Sequence, residues 1–175
     1  LLLKWNARTN LTAIREPEHI VTRHFGESLF TAQHLGSPKT LLDLGSGAGF
    51  PGLPIALLLP ELAVTLAESQ NKKSSFLHEA VRTLGLSNVV VWAGRAEAMP
   101  PARQFDTVTL RAVDNMAAAL AAAAPHTARE LVLLAGAAPE LPDGFDLHPP
   151  IAIPGTRDSF VIRAVRKGLG PEVRD

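Results

Sequence analysis

The spacing of apolar residues changes near residue 40, and that change divides the chain. Before it, Ile20, Val21, Phe25 and Leu29 recur at roughly helical spacing. They follow Glu16-Pro17-Glu18-His19, a proline and acids where a helix start favours them. Residues 1–36 therefore read as a helical N-terminal segment with breaks. Beyond residue 40, short apolar runs at 40–44, 63–67, 88–92, 105–110 and 130–135 read as strands. Helices are expected between them over 54–59, over 71–84 with Gly85 as its stop, and over the alanine-rich 114–124. Strand and helix in alternation imply a doubly wound, mostly parallel α/β sheet with right-handed crossovers. The last forty residues depart from this. Runs at 144–153 and 159–165 flank Pro154-Gly155-Thr156-Arg157, a tight-reversal signal, and predict an antiparallel C-terminal hairpin. Residues 136–144 carry two prolines and two glycines, leaving little room for a crossover helix. One sheet face is therefore expected to be less covered.

Composition narrows the class. The 175 residues fit one domain, 1–175, and 46% are hydrophobic, enough for a sizeable core. Lys and Arg total 17 and Asp and Glu total 17, so net charge does not announce a nucleic-acid partner, although a local basic face stays open. Cysteine is absent, which removes disulfides and thiolate chemistry together and fits a reducing, cytoplasmic setting. The longest apolar stretches are too short to span a bilayer, and Leu1-Leu-Leu-Lys-Trp-Asn lacks the basic and long apolar regions of a signal peptide. The six histidines are scattered, and no metal-ligand cluster or catalytic triad is expected. No apolar helix pattern demands a partner, so a monomer is expected.

The chemistry concentrates at Asp43-Leu-Gly-Ser-Gly-Ala-Gly49. Gly45, Gly47 and Gly49 follow a strand and precede a helix, where absent Cβ atoms let the backbone turn tightly against a ligand. About twenty residues on, Glu68 ends the second strand, placed to accept hydrogen bonds from ribose hydroxyls. Together these predict a nucleoside cofactor. Gly47-Ala-Gly49-Phe-Pro-Gly52 also spells G-x-G-x-x-G, the dinucleotide pattern. Asp43 argues against that reading, because an acid is misplaced beside a pyrophosphate. It is expected to orient the turn or to approach the amino end of S-adenosylmethionine. The terminal hairpin argues the same way.

Several segments together resemble the RsmG (GidB) family. They are Trp5-Asn6, Asn10-Leu-Thr-Ala-Ile14, His24 with Ser28-Leu29, the run Leu42 to Pro54, Glu68-Ser69, Lys72-Lys73, Phe76-Leu77, Arg95-Ala-Glu97 and Arg111-Ala112. The resemblance covers residues 1 to about 115, with a looser match in the tail. It implies methyl transfer from S-adenosylmethionine to N7 of a guanine in 16S ribosomal RNA, on the naked RNA or the small ribosomal subunit. It implies cofactor contacts at Gly45, Phe50, Ala96, Glu97 and Arg111, beside Gly47 and Glu68 from the turn itself. Arg111 could reach the cofactor's carboxylate or the substrate edge. Glu27 stands where the family usually carries aspartate. Lys72 and Lys73, cations at a helix start where the dipole opposes them, are expected to meet RNA phosphate together with Arg111. Guanine N7 carries a lone pair and no proton, so no general base is expected. The alternatives are a methyltransferase with another substrate, a methyltransferase-like binding module without activity, and a nicotinamide-dependent oxidoreductase.

Overall fold

The computed structural model describes residues 1–113 and 115–169. The expected first residue of the helix at 114–124, and the last six residues of the expected 1–175 domain, lie outside them. The strands are β1 Thr40–Leu44, β2 Ala63–Glu68, β3 Val89–Ala93, β4 Phe105–Arg111, β5 Thr127–Ala135, β6 Phe145–Leu147, β7 Ile151–Ala152 and β8 Phe160–Arg166. The helices are α1 Leu2–Thr9, α2 Pro17–His19, α3 Glu27–Gln33, α4 Gly52–Leu58, α5 Asn71–Leu84 and α6 Met116–Ala123. A π-type stretch, Ile20–Gly26, joins α2 to α3.

All strands enter one sheet in the order β3-β2-β1-β4-β5-β8-β6, with β7 also on β8. The pairs β1–β2, β1–β4, β2–β3 and β4–β5 are parallel. The β5–β8, β6–β8 and β7–β8 pairs are antiparallel. Neighbouring residues on one strand point to opposite faces, and both faces are covered. Leu41 packs with Leu53 and Ile55 of α4 and Phe76 and Leu77 of α5. Leu42 packs on the other face with Val108, Leu110, Leu120 and Ala123. This is the doubly wound arrangement that the alternation predicts, and β1, interior to the sheet, delivers the glycine turn at its C-terminal end.

Local chemistry adjusts several boundaries. Helix α4 begins at Gly52, two residues before the expected Pro54, because Asp43 on β1 accepts the Gly52 amide and starts the helix there. Helix α6 starts after Asn115, whose side chain accepts the Ala118 amide as an N-cap. It gives way at Ala124 to a 3-10 turn, Ala124–His126. Strand β5 begins at Thr127 rather than 130, its first hydroxyl bonded to the Ala123 carbonyl. The run 144–153 is not one strand. His148-Pro149-Pro150 interrupts it, since proline cannot donate to a ladder, and β6 and β7 pair with β8 separately. The reversal at Pro154-Gly155 then leads to β8, which extends to Arg166. The sheet face at β5 is not left bare: Ile153 folds back against Val132 and Val161 and is 3% exposed.

Candidate cofactor and substrate cavity

The glycine turn hangs between two strand ends. The Gly45 and Ser46 amides both donate to the Ala67 carbonyl, and Ser46 Oγ donates to the Asp43 carbonyl. Gly45, Gly47 and Gly49 have φ of 74°, 54° and 85°, a left-handed backbone that side chains disfavour. The later glycines serve packing. A Cβ on Gly49 would overlap Leu53, and one on Gly52 would overlap Leu66 and come within 2.8 Å of Asp43 Oδ2. The literal G-x-G-x-x-G therefore arises from helix and strand contacts at its second and third glycines, not from an approach to a pyrophosphate.

Asp43 is 1% exposed. Its Oδ2 accepts the Gly52 amide at 3.1 Å and its Oδ1 accepts the Thr109 hydroxyl at 2.8 Å. Burial pushes its carboxyl up to about 6, against the lowering effect of those hydrogen bonds. Asp43 thus orients the turn.

Glu68 is 6% exposed and also braces the turn. Its Oε2 accepts the Gly47 amide at 3.0 Å and its Oε1 accepts the Gln70 amide at 2.8 Å. Each oxygen keeps a second lone pair for a ribose hydroxyl.

Two cavities meet across this turn. The smaller, about 180 Å³, is lined by Gly45, Glu68, Ala96 and Glu97, with Ala118, Ala119 and Ala122 of α6 opposite. The larger, about 410 Å³, is lined by Gly45, Gly47, Phe50, Glu68 and Arg111, with Leu11 to Ile14, His24, Lys73 and Ala112. Each of the seven expected cofactor positions (Gly45, Gly47, Phe50, Glu68, Ala96, Glu97, Arg111) lines one or both of these cavities, and Gly45 and Glu68 line both. The two lysines separate. Lys73 lines the larger cavity, whereas Lys72 lines neither and is exposed.

Arg111 ends β4 with 13% of its side chain exposed. Its Nη2 donates to Glu27 Oε2 and to the Arg23 carbonyl, each at 3.0 Å. Burial pushes the guanidinium down and Glu27 opposes that shift. Ala112, next to it, has φ 50°, a sparsely populated conformation for alanine that costs on the order of 1 kcal/mol. The opposite wall is aromatic: His24 stacks on Phe50 at 4.8 Å, and Phe25 meets Phe50 edge-on at 5.0 Å. His24 Nε2 lies 2.7 Å from Thr12 Oγ1, and its Nδ1 is buried without a partner. Burial, then Arg111 and Arg23, hold the imidazole down at about 4, so it is neutral near pH 7. No group of three or more metal-binding side chains occurs among the described residues.

This chain is 40% identical over 179 residues to the ribosomal RNA small subunit methyltransferase G of Xanthomonas euvesicatoria pv. vesicatoria (strain 85-10), covering 96% of this chain and 83% of that one. It is 42% identical over 165 residues to the protein of the same name from Stenotrophomonas maltophilia (strain K279a), covering 89% and 77%. The family model GidB, rRNA small subunit methyltransferase G, matches residues 1–140. The chain belongs to the GidB family. Its fold is that of methyltransferases more widely. A SAM dependent methyltransferase from Aquifex aeolicus superposes with a TM-score of 0.67 at 16% identity, over 90% of this chain and 97% of that one. A magnesium protoporphyrin IX methyltransferase from Synechocystis PCC 6803, solved with bound SAM, gives 0.63 at 18% identity, over 92% and 89%. The resemblance read from the motifs thus holds, and S-adenosylmethionine is the cofactor of the GidB family.

Three features in or beside the two cavities had no role assigned from the sequence. The loop Leu11 to Ile14 forms a wall through apolar and hydroxyl residues that carry no charge signal. The alanine face of α6 borders the smaller cavity through small size alone. Glu27, which stands where the family usually carries aspartate, is the ion partner of Arg111 from 84 positions away, a pairing that sequence spacing does not show.

Proposed function

We propose that this chain transfers the methyl group of S-adenosylmethionine to N7 of a guanine in 16S ribosomal RNA, acting as a monomeric single domain in the cytoplasm. The observation that carries the reading is that Gly45 and Glu68 border both cavities, with Ala96-Glu97 in the smaller and Gly47, Phe50 and Arg111 in the larger. A nucleoside held on the Glu68 side would present its reactive end to the larger cavity, where a base can enter.

When bound, the cofactor supplies an electrophilic methyl. The chain's own residues do the rest. Glu68 offers two lone pairs to the ribose, pre-aimed by the Gly47 and Gln70 amides. The Ala96-Glu97 backbone and the α6 alanines bracket a planar adenine. Phe50 and neutral His24 exclude water from the larger cavity, and Arg111 holds an anionic group or the base edge. Positioning and dry surroundings suffice, because guanine N7 has no proton to lose. Lys73 in the cavity, Lys72 outside it, and the exposed Lys4, Arg8, Arg15 and Arg23 of the N-terminal segment suit the RNA backbone. No helix among the described residues is long and apolar enough to cross a membrane.

The test has two steps. Calorimetric titration should show binding of S-adenosylhomocysteine and none of NADPH; the reverse pattern would restore the oxidoreductase reading. Radiolabelled S-adenosylmethionine should then label small subunits that lack the modification, at one guanine. Cofactor binding without label on the RNA would favour another substrate or an inactive binding module.

A further inference from the structure

Glu27, the first residue of α3, is 4% exposed and has no contact with either cavity. Both its oxygens are engaged by cations. Oε1 accepts from Arg23 Nε at 2.7 Å and Oε2 from Arg111 Nη2 at 3.0 Å. Because the carboxylate is held at both ends, it cannot rotate away from Arg111. Arg111 Nη2 spends its second hydrogen on the Arg23 carbonyl at 3.0 Å. One nitrogen of the fork is thereby committed to the N-terminal helical segment, and the plane of the guanidinium is set. Its Nε and Nη1 have no acceptor among the described residues, and neither is sealed from solvent. They belong to a side chain that lines the larger cavity. Lys73 and Glu68 line the same cavity, and the buried Asp43 acts on Arg111 from behind it. A planar fork with two free donors matches the paired oxygens of an anion.

We propose that Glu27 is the positioning residue for this fork: it fixes Arg111 so that the free donors meet a carboxylate or phosphate of the bound ligand. The proposal rests on the methyl-transfer reading above. The anion has two sources, the amino-acid carboxylate of the cofactor or a phosphate of the RNA, and the two are separable. S-adenosylhomocysteine carries the carboxylate; 5′-methylthioadenosine keeps the nucleoside and thioether without it.

The experiment measures binding of both compounds, and of small-subunit ribosomal RNA, to wild type, Glu27→Gln, Glu27→Asp, Arg111→Gln and the Glu27→Gln/Arg111→Gln double variant. A charged hydrogen bond lost from a fixed geometry costs about tenfold in affinity. Glu27→Gln should therefore weaken S-adenosylhomocysteine about tenfold and leave 5′-methylthioadenosine within about twofold. In the Arg111→Gln background it should add nothing, because residues acting through one contact are not additive. Glu27→Asp, which keeps the charge, should restore most of the affinity. If the anion is a phosphate, the same non-additive loss appears on RNA instead, and the salt slope of RNA binding falls by about one. Thermal melts of each variant establish folding, and if Glu27→Gln does not fold, Arg23→Gln, which frees Glu27 Oε1 at an exposed side chain, carries the test: its loss on S-adenosylhomocysteine should vanish in the Arg111→Gln background. The proposal is overturned if the two single losses add, if 5′-methylthioadenosine suffers equally, or if Glu27→Gln matches wild type on both ligands. A wild type that binds neither nucleoside would instead sink the methyl-transfer reading itself.

Discussion

Replacing Asp43 with asparagine should make the protein more stable at neutral pH. The carboxyl is fully buried, and burial raises it from 3.8 to about 6. That is about two units at 1.36 kcal/mol each, or about 3 kcal/mol of penalty for carrying the charge inside. A group raised in the folded state contributes stability below its unfolded value and loses it as pH rises through its folded value. Stability from Asp43 therefore declines on going from acid to neutral, with roughly 2.5 kcal/mol of the decline between pH 4 and 7. Asparagine keeps the shape. Its carbonyl can accept the Gly52 amide while its NH₂ meets Thr109 Oγ1, and it does not titrate. His24 works in the opposite direction over much of the same window, since its depressed value removes stability as pH falls toward 4. The wild-type curve alone would mask both effects, and subtracting one protein from the other removes His24. Urea unfolding of wild type and Asp43→Asn at half-unit steps from pH 4 to 8 measures the difference. The Asn variant should gain on wild type steadily, by about 2.5 kcal/mol, and then level off above pH 7. A difference that is flat, or that falls with pH, refutes the argument.

Three other outcomes are expected. Gly52→Ala should destabilise by about 3 kcal/mol, because its Cβ collides with Leu66 and crowds Asp43, and a melting temperature within error of wild type would contradict that packing. An NMR titration of the His24 ring should give a midpoint near 4, with the ring neutral across the working range; protonation above pH 6 would mean that the ring is not buried as described. Glu68→Gln puts an NH₂ against one of two backbone N–H donors, so it should cost about 2 kcal/mol and weaken S-adenosylhomocysteine, and retained stability with retained affinity would deny Glu68 both roles.

What could be read from the chain in advance follows physical lines. Interior parallel strands are buried on both faces, so β1, β2 and β4 stand out as apolar runs without needing their neighbours. The glycine turn and Glu68 are separated by one strand–helix unit, and that spacing travels with the fold. Other features depend on contacts far apart in sequence. The first residues of β5, Thr127-Ala-Arg129, are too polar to read as a strand; they are held by β4 and by the Ala123 carbonyl. The split between β6 and β7 hinges on two prolines inside an otherwise strand-like run. Lys72 and Lys73 are alike as letters, and only the direction of α5 sends one to the cavity and the other to solvent. Arg111 was legible as a functional side chain, but the acid that orients it lies on another element altogether.

The position of β8 has a consequence for how the molecule is made. It is the last strand among the described residues, yet it sits inside the sheet, between β5 and β6. Until residues 160–166 are available, β5 keeps an open edge and β6 has no strand to join. A nascent chain that has already formed the cofactor side must therefore wait, with Leu131 and Leu133 still short of their final cover, for its closing element. Such a chain is vulnerable to mispairing during that interval. In a protein whose relatives modify ribosomal RNA, completion of the sheet is timed by the ribosome itself.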